Sequence, residues 1–258
     1  MFIFGLGYSA KRIKASLERT GWRVAATGRD GDLPFEDEEG VRAALTGSSH
    51  VLSSVPPQDE GDPVLARYGD LLGERWLGYL SSTGVYGDAG GAWVDESAPT
   101  GGGRRSARAT CDSLWLERGA RVFRLPGIYG PGRSALERVV GGTAHRIDLP
   151  GQVFSRVHVE DIAAGVLAAL DAPEGAYNLA DDLPASQNAV IEEACRLLGR
   201  DPPPLQSIEE AGLGPMARGF YAENRRVANG KAKRLLGWRP RYPTFREGLA
   251  DCIRRFSP

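Results

Sequence analysis

The chain has 258 residues, 41% hydrophobic and 25% charged, which suits one large α/β domain or a domain with a small appended lobe. A formal net charge of −1 argues against nucleic acid or an anionic membrane surface as the main partner. No apolar run reaches membrane-spanning length, and Met1 leads directly into a predicted strand, so no signal peptide is expected. Cys111, Cys195 and Cys252 are scattered without metal-type spacing and read as free thiols of a reducing cytoplasm.

The first ten residues, Met1-Phe-Ile-Phe-Gly5-Leu-Gly7-Tyr-Ser-Ala10, run from an apolar strand into a glycine turn, with a helical stretch over Lys11 to Arg19. The spacing is G-x-G-x-x-A, the strand–turn–helix fingerprint of a dinucleotide-binding βαβ unit. Gly5 permits the tight turn, Gly7 lets backbone approach a pyrophosphate, and Ala10 lets the helix pack close to the strand. N–H groups around Tyr8 and Ser9 would face the phosphates at the positive end of the helix dipole.

The first helix buries Ile13 and Leu17 and ends at Gly21. A second strand over Arg23 to Thr27 reaches Gly28-Arg29-Asp30, the place where an adenosine ribose is read. Thr27 and Arg29 favour NADP there, and Asp30, one residue on, keeps NAD open. Leu33 to Asp37 is a brief third strand, with Asp37 capping a helix through Leu45. Val51 to Val55 is the fourth strand, and Ser54-Val55-Pro56-Pro57 at its end bounds the cofactor crevice. Asp62-Pro63 opens the next helix as N-cap and N1, which runs to Gly73. Strands at Leu77 to Ser81 and Arg121 to Leu125 flank a helix from about Arg105 to Arg118. This alternation means a doubly wound parallel sheet with helices on both faces.

Beyond Pro131 the pattern loosens. Arg156 to Val159 is a short strand and Asp161 caps the helix after it; Tyr177 to Leu179 is another strand, and Ser186 opens a helix ending before Gly199. Pro202 to Pro204 is a stiff linker, a short helix precedes Leu236-Gly237, and Thr244-Phe-Arg-Glu247 is a capping box for the last helix. The expectation is a single domain over 1–258, its core mainly 1–180, with a small C-terminal substrate lobe mainly 181–258.

Five motifs in this order resemble the extended short-chain dehydrogenase/reductase superfamily, the NAD-dependent epimerase/dehydratase group. They are the glycine turn, Ser81-Ser-Thr-Gly-Val-Tyr-Gly87, Glu96-Ser-Ala-Pro99, Arg124-Leu-Pro-Gly-Ile-Tyr-Gly-Pro-Gly132 and Arg156-Val-His-Val-Glu-Asp161. Tyr177-Asn178 and Leu236-Gly-Trp238-Arg-Pro240 back them. The resemblance implies a seven-stranded NAD(P)-binding Rossmann core, a nicotinamide cofactor (NADP, with NAD open) and a C-terminal lobe forming the substrate pocket. Ser81 falls beside the cofactor, and Ser82 matches the serine that hydrogen-bonds the reacting oxygen of the substrate.

The family's catalytic Tyr-x-x-x-Lys falls on Ala107 and Cys111 here. That chemistry needs a phenol to exchange a proton and an ammonium to lower its pKa. None of the eight tyrosines has a lysine four residues on, and residues 15–230 hold no lysine. Thr83 and Gly84 also replace the Asp-Glu pair of nucleotide-sugar dehydratases. The pattern is similar to the atypical branch that keeps the Rossmann core without the dyad.

Other candidates follow from residue type. His158 could exchange protons near neutral pH, while its motif also fits a structural histidine. Arg108 and Arg133 could grip an anionic small-molecule substrate bidentately. Cys111 reads as an inert thiol, and Trp238 as packing. Two function classes stand: an oxidoreductase or epimerase-like enzyme of unknown substrate, and a non-catalytic NADP(H)-binding sensor. A homodimer is the assembly to test; nucleic acid and membrane are not expected partners.

Overall fold

The computed structural model describes residues 1–59, 61–103 and 106–256. Its first half runs β1 (Phe2–Phe4), α1 (Tyr8–Arg19), β2 (Ala25–Ala26), α2 (Glu38–Thr46), β3 (His50–Ser53), α3 (Pro63–Tyr68) and β4 (Trp76–Ser82). Then come β5 (Trp93–Val94), α4 (Ser106–Glu117), β6 (Arg121–Leu125), β7 (Gly127–Tyr129), α5 (Ala135–Val140), β8 (Arg146–Ile147) and β9 (Arg156–His158). The chain closes with α6 (Val159–Ala168), β10 (Gly175–Asn178), α7 (Gln187–Leu198), β11 (Leu205–Gln206), α8 (Pro215–Tyr221), β12 (Arg226–Val227), α9 (Gly230–Leu235) and α10 (Phe245–Arg254).

Six strands form one parallel sheet in the order β10-β6-β4-β3-β1-β2. The order reverses between β1 and β3, which opens a crevice at their carboxyl ends. The resemblance implies seven strands, but the segment after Leu33 does not form one. Leu33 makes a single parallel bridge to Thr27, and Pro34 follows with no N–H to extend the ladder.

Apolar side chains pack on both faces of the sheet. Ile13, Leu17, Ile162 and Val166 of α1 and α6 cover one face, and Val41, Leu45, Val64 and Trp115 of α2, α3 and α4 cover the other. A third cluster joins Tyr129 and Leu136 to Val190, Ile191, Phe245 and Leu249 of α7 and α10. The strand-rich and lobe cores therefore meet along β7 and β9, which pair in parallel.

Side-chain caps set most helix starts. Asp37 accepts the Gly40 N–H at 3.0 Å, and Ser186 accepts that of Ala189 at 3.1 Å. Asp62 Oδ1 accepts from Val64 and Leu65 at 2.9 Å each, with Pro63 at the first helical position. Its second oxygen takes the Trp115 indole N–H at 2.7 Å, tying α3 to α4. That helix starts at Ser106; Arg105, placed in it by the sequence, lies outside the described residues.

Asp161 departs from its expected role as a cap. α6 begins earlier, at Val159, and His158 Nδ1 accepts the Glu160 N–H at 3.3 Å. Asp161 is buried inside the first turn and accepts the backbone N–H groups of Arg241 at 2.7 Å and Tyr242 at 3.1 Å. The buried Trp238 donates its indole N–H to the Asp161 carbonyl at 3.1 Å. Two separated motifs thus fasten the C-terminal segment onto α6. All three cysteines are free and buried, and no helix among the described residues is long and apolar enough to cross a membrane.

Candidate active site

The glycine turn is built for close approach. Gly5 has φ +83°, and a Cβ there would lie 3.0 Å from Val55 Cγ2. Thr27 secures the turn from β2, its hydroxyl accepting the Gly5 N–H at 3.1 Å and its carbonyl that of Leu6 at 2.8 Å. Helix α1 starts at Tyr8 rather than Lys11, so the N–H groups of Tyr8, Ser9 and Ala10 form its first turn without intrahelical acceptors. Gly7 is the N-cap, no side chain caps it, and a Cβ there would meet nothing within 4 Å. This open cradle of donors at a helix N-terminus fits a dinucleotide pyrophosphate.

A cavity of about 800 Å³ runs from this cradle into the lobe. Gly7, Tyr8, Ser9, Ser54, Pro56, Ser81 and Ser82 line its sheet end; Arg138, Phe154 and Tyr221 line its lobe end. Gly5, Ala10, Thr27 and Val55 stand behind this wall and shape the turn. Arg29 is exposed on the loop after β2, and the neighbouring Asp30 pairs with Lys11.

Ser82 ends β4, and its hydroxyl oxygen accepts the Gly84 N–H at 3.1 Å. That leaves its own hydrogen to donate into the cavity. Ser81 turns the other way and donates to Asp112 at 2.6 Å. Asp112 is gripped by Arg124, which also donates to the Tyr86 hydroxyl at 3.1 Å. Tyr86 donates to Asn178 at 2.7 Å, and Glu96 accepts the Asn178 backbone N–H at 2.7 Å. The motif residues Ser81, Tyr86, Glu96, Arg124 and Asn178 thus share one largely buried network.

The positions of the missing dyad lie on α4. Cys111 is fully buried, and burial, helped by the charge of Asp62, pushes its thiol up to about 11. It cannot stand in for a base. One residue past Ala107, Arg108 reaches the cavity wall. Tyr8 also borders the cavity, but its hydroxyl donates to the Pro131 carbonyl at 3.1 Å and is pushed up to about 12, chiefly by burial. Arg133 lies over its ring, 5.6 Å from the centroid.

His158 lies outside the cavity wall. It is fully buried, packs against the rings of Tyr129 and Tyr242, and sits 3.9 Å from both Asp251 and Cys252. Desolvation lowers its pKa to about 4, so it is a neutral cap at neutral pH. Its place is structural, where α6 meets α10.

The sequence put the substrate lobe mainly in 181–258, but α5 and the segment after it, within the expected core 1–180, pack with α7 and α10 and supply much of the far end of the cavity. Arg138, His145, Phe154 and Tyr221 line the cavity together with the predicted Arg108 and Arg133. The Ser134-x-x-Glu137 capping box that starts α5, and so places Arg138, is visible in the sequence. No comparable local signal marks His145 or Tyr221.

A parallel doubly wound sheet, a G-x-G-x-x-A cradle at its switch point and a lobe closing over the cavity define the class. The chain has the fold of NAD(P)-binding Rossmann proteins of epimerase/dehydratase type and belongs to the family of protein YeeZ. It is 31% identical to protein YeeZ of Escherichia coli K12 over 262 aligned residues, covering 84% of this chain and 90% of that protein. A 3-diazoavenalumate denitrifying reductase of a Streptomyces species is 32% identical over 143 residues, half of this chain and 45% of that one. Among solved structures, a conserved protein of unknown function from Silicibacter pomeroyi superposes with a TM-score of 0.88 at 40% identity, covering 98% of this chain and 97% of that one. A human epimerase-family protein solved with NADPH shares the fold at 16% identity, with a TM-score of 0.76 over 99% of this chain and the whole of that one. No family model matches the sequence.

Proposed function

We propose that the chain is an NADPH-dependent reductase of a small organic anion. The observation that carries this reading is the continuous cavity that joins the Gly7 cradle, the donor hydroxyl of Ser82 and the guanidinium groups of the lobe. NADPH, when bound, supplies the hydride. Gly7 to Ala10 hold its pyrophosphate, Ser54 and Pro56 border the crevice, and Arg29 takes the 2′-phosphate. Arg29 is free of ion pairs among the described residues while Asp30 is engaged by Lys11, which supports NADP over NAD.

Ser82 serves as a hydrogen-bond donor to the acceptor oxygen, because one lone pair already accepts the Gly84 N–H and its hydrogen stays free. Arg108 places positive charge in the same cavity, where charge develops as hydride arrives. No group among the described residues matches the dyad tyrosine, which would take a proton from an alcohol or give one to a reduced ketone. Hydride added to a conjugated acid leaves a carbanion that solvent water entering the open cavity protonates, so such acceptors are favoured over alcohols or sugars. The Streptomyces relative named as a reductase supports this direction. The missing base also supports a second reading, an NADP(H) sensor without turnover.

The test follows reduced-cofactor absorbance with carbonyl and conjugated acids, beside nucleotide sugars and secondary alcohols. Oxidation of NADPH by an acid, slowed about a hundred- to a thousandfold in Ser82→Ala with cofactor affinity kept, is expected. Robust NADP-linked oxidation of secondary alcohols would overturn the reading.

A further inference from the structure

We propose that the lobe end of the cavity binds an organic acid with a flat apolar body, its anionic head on Arg138 and its ring against Phe154, Phe220 and Tyr221. The acid is the hydride acceptor only if the reductase reading holds; the binding site stands on its own.

Arg138 follows directly on the capping box of α5, so a well-anchored helix presents it. Its side chain lines the cavity and makes no hydrogen bond or ion pair among the described residues. Arg138 is exposed, so its guanidinium is open to a ligand entering the cavity. The Glu137 carboxylate next to it is already taken by Ser134 and the Gly132 N–H.

A second guanidinium stands behind the first. The buried Arg156 donates to the Phe154 and Ala185 carbonyls at 2.8 Å each and to Gln187 at 3.3 Å. Arg156 and Arg138 repel one another, and the buried Asp181 nearby is pushed up to about 8 by desolvation. Burial disfavours the Asp181 carboxylate charge, so it offsets Arg156 only in part. The buried Arg156 and the exposed Arg138 in front of it, neither ion-paired among the described residues, leave positive charge at one end of the cavity that an incoming anion offsets. Arg156 contributes charge, and Arg138 contributes the free hydrogen-bond donors.

The walls around this charge are aromatic. Phe154 and Tyr221 pack edge to face with centroids 5.5 Å apart, and Phe220 keeps 52% of its surface exposed on the same wall. Ring faces beside a fixed cation suit a ligand that is flat at one end and anionic at the other. A nucleoside diphosphate shares that chemistry, so it enters the test as the competing source.

Calorimetric titration of cinnamate, cinnamamide and uridine diphosphate into NADP-loaded protein decides the matter. Cinnamate should bind at least about tenfold tighter than the isosteric amide, and Arg138→Gln should weaken cinnamate by about ten- to a hundredfold while leaving the amide unchanged. Arg138→Lys should retain part of the preference. Equal binding of acid and amide, no binding of cinnamate, or indifference to Arg138→Gln overturns the proposal; so does tighter, Arg138-dependent binding of uridine diphosphate. Failure of NADP itself to bind would count against the reductase reading, while the cinnamate arm on cofactor-free protein would still decide the acid site.

Discussion

Arg124 grips Asp112 through both carboxylate oxygens, Nη2 to Oδ1 at 2.7 Å and Nε to Oδ2 at 3.1 Å, with side chains only 4% and 1% exposed. The pair ties β6 to α4, and Ser81 donates to the same carboxylate. Burial alone would lower the Arg124 pKa, but the bonds from Asp112 reverse that and hold it well above the ordinary arginine value.

Removing one partner leaves a buried charge alone, so Asp112→Ala should destabilise the fold by about 3–5 kcal/mol. Urea unfolding at neutral pH measures it. A loss under about 1 kcal/mol would show that the pair does not hold α4.

Acid should weaken the protein through His158. Burial lowers its pKa in the fold to about 4, below the ordinary histidine value of about 6.5, so between those values the unfolded chain binds the extra proton and stability falls as pH falls. Desolvation dominates, Asp251 opposes it, and Arg255, Arg12 and Arg241 add to it. The full effect is about 3 kcal/mol. Asp161, raised to about 6, and Asp181, raised to about 8, act with the opposite sign, because their folded forms keep protons that the unfolded chain loses. The difference between wild type and His158→Gln isolates the histidine. Urea midpoints at several pH values should fall less steeply toward acid in the variant; parallel curves would contradict this assignment.

Much of the sheet was legible because its cues are local. Apolar runs marked β1, β3, β4 and β6, and Asp37, Asp62, Ser186 and Thr244 announced their helices through side-chain caps. Asp161 misled because its carboxylate is used in tertiary contact, by Arg241 and Tyr242 eighty residues away in sequence. The cavity's lobe end was illegible for the same reason. Arg138, His145 and Tyr221 converge only through packing of segments distant in the chain. Arg108 and Arg133 were visible as candidates, since each lies beside a recognisable motif.

Gly7→Val tests the cradle cleanly. A Cβ at Gly7 meets no protein atom within 4 Å, so the variant should fold, with its side chain standing in the pyrophosphate space. Its melting temperature should stay near that of wild type while NADPH affinity falls more than about a hundredfold. Retained affinity would remove the glycine turn from the cofactor site.

Arg29→Ala should weaken NADPH by about ten- to a hundredfold and leave NADH unchanged. Fluorescence titration of both cofactors into both proteins measures it. Equal losses for the two cofactors would mean that Arg29 does not read the 2′-phosphate.

The most direct test of the account is a crystal structure of the chain grown with NADP. It should place the pyrophosphate over the N–H groups of Tyr8, Ser9 and Ala10 and the nicotinamide ring in the cavity beside Ser82, with Arg138 still open beyond it. A nicotinamide ring lying outside the cavity, or one whose cofactor fills the space as far as Arg138, would contradict a reductase with room for an organic anion.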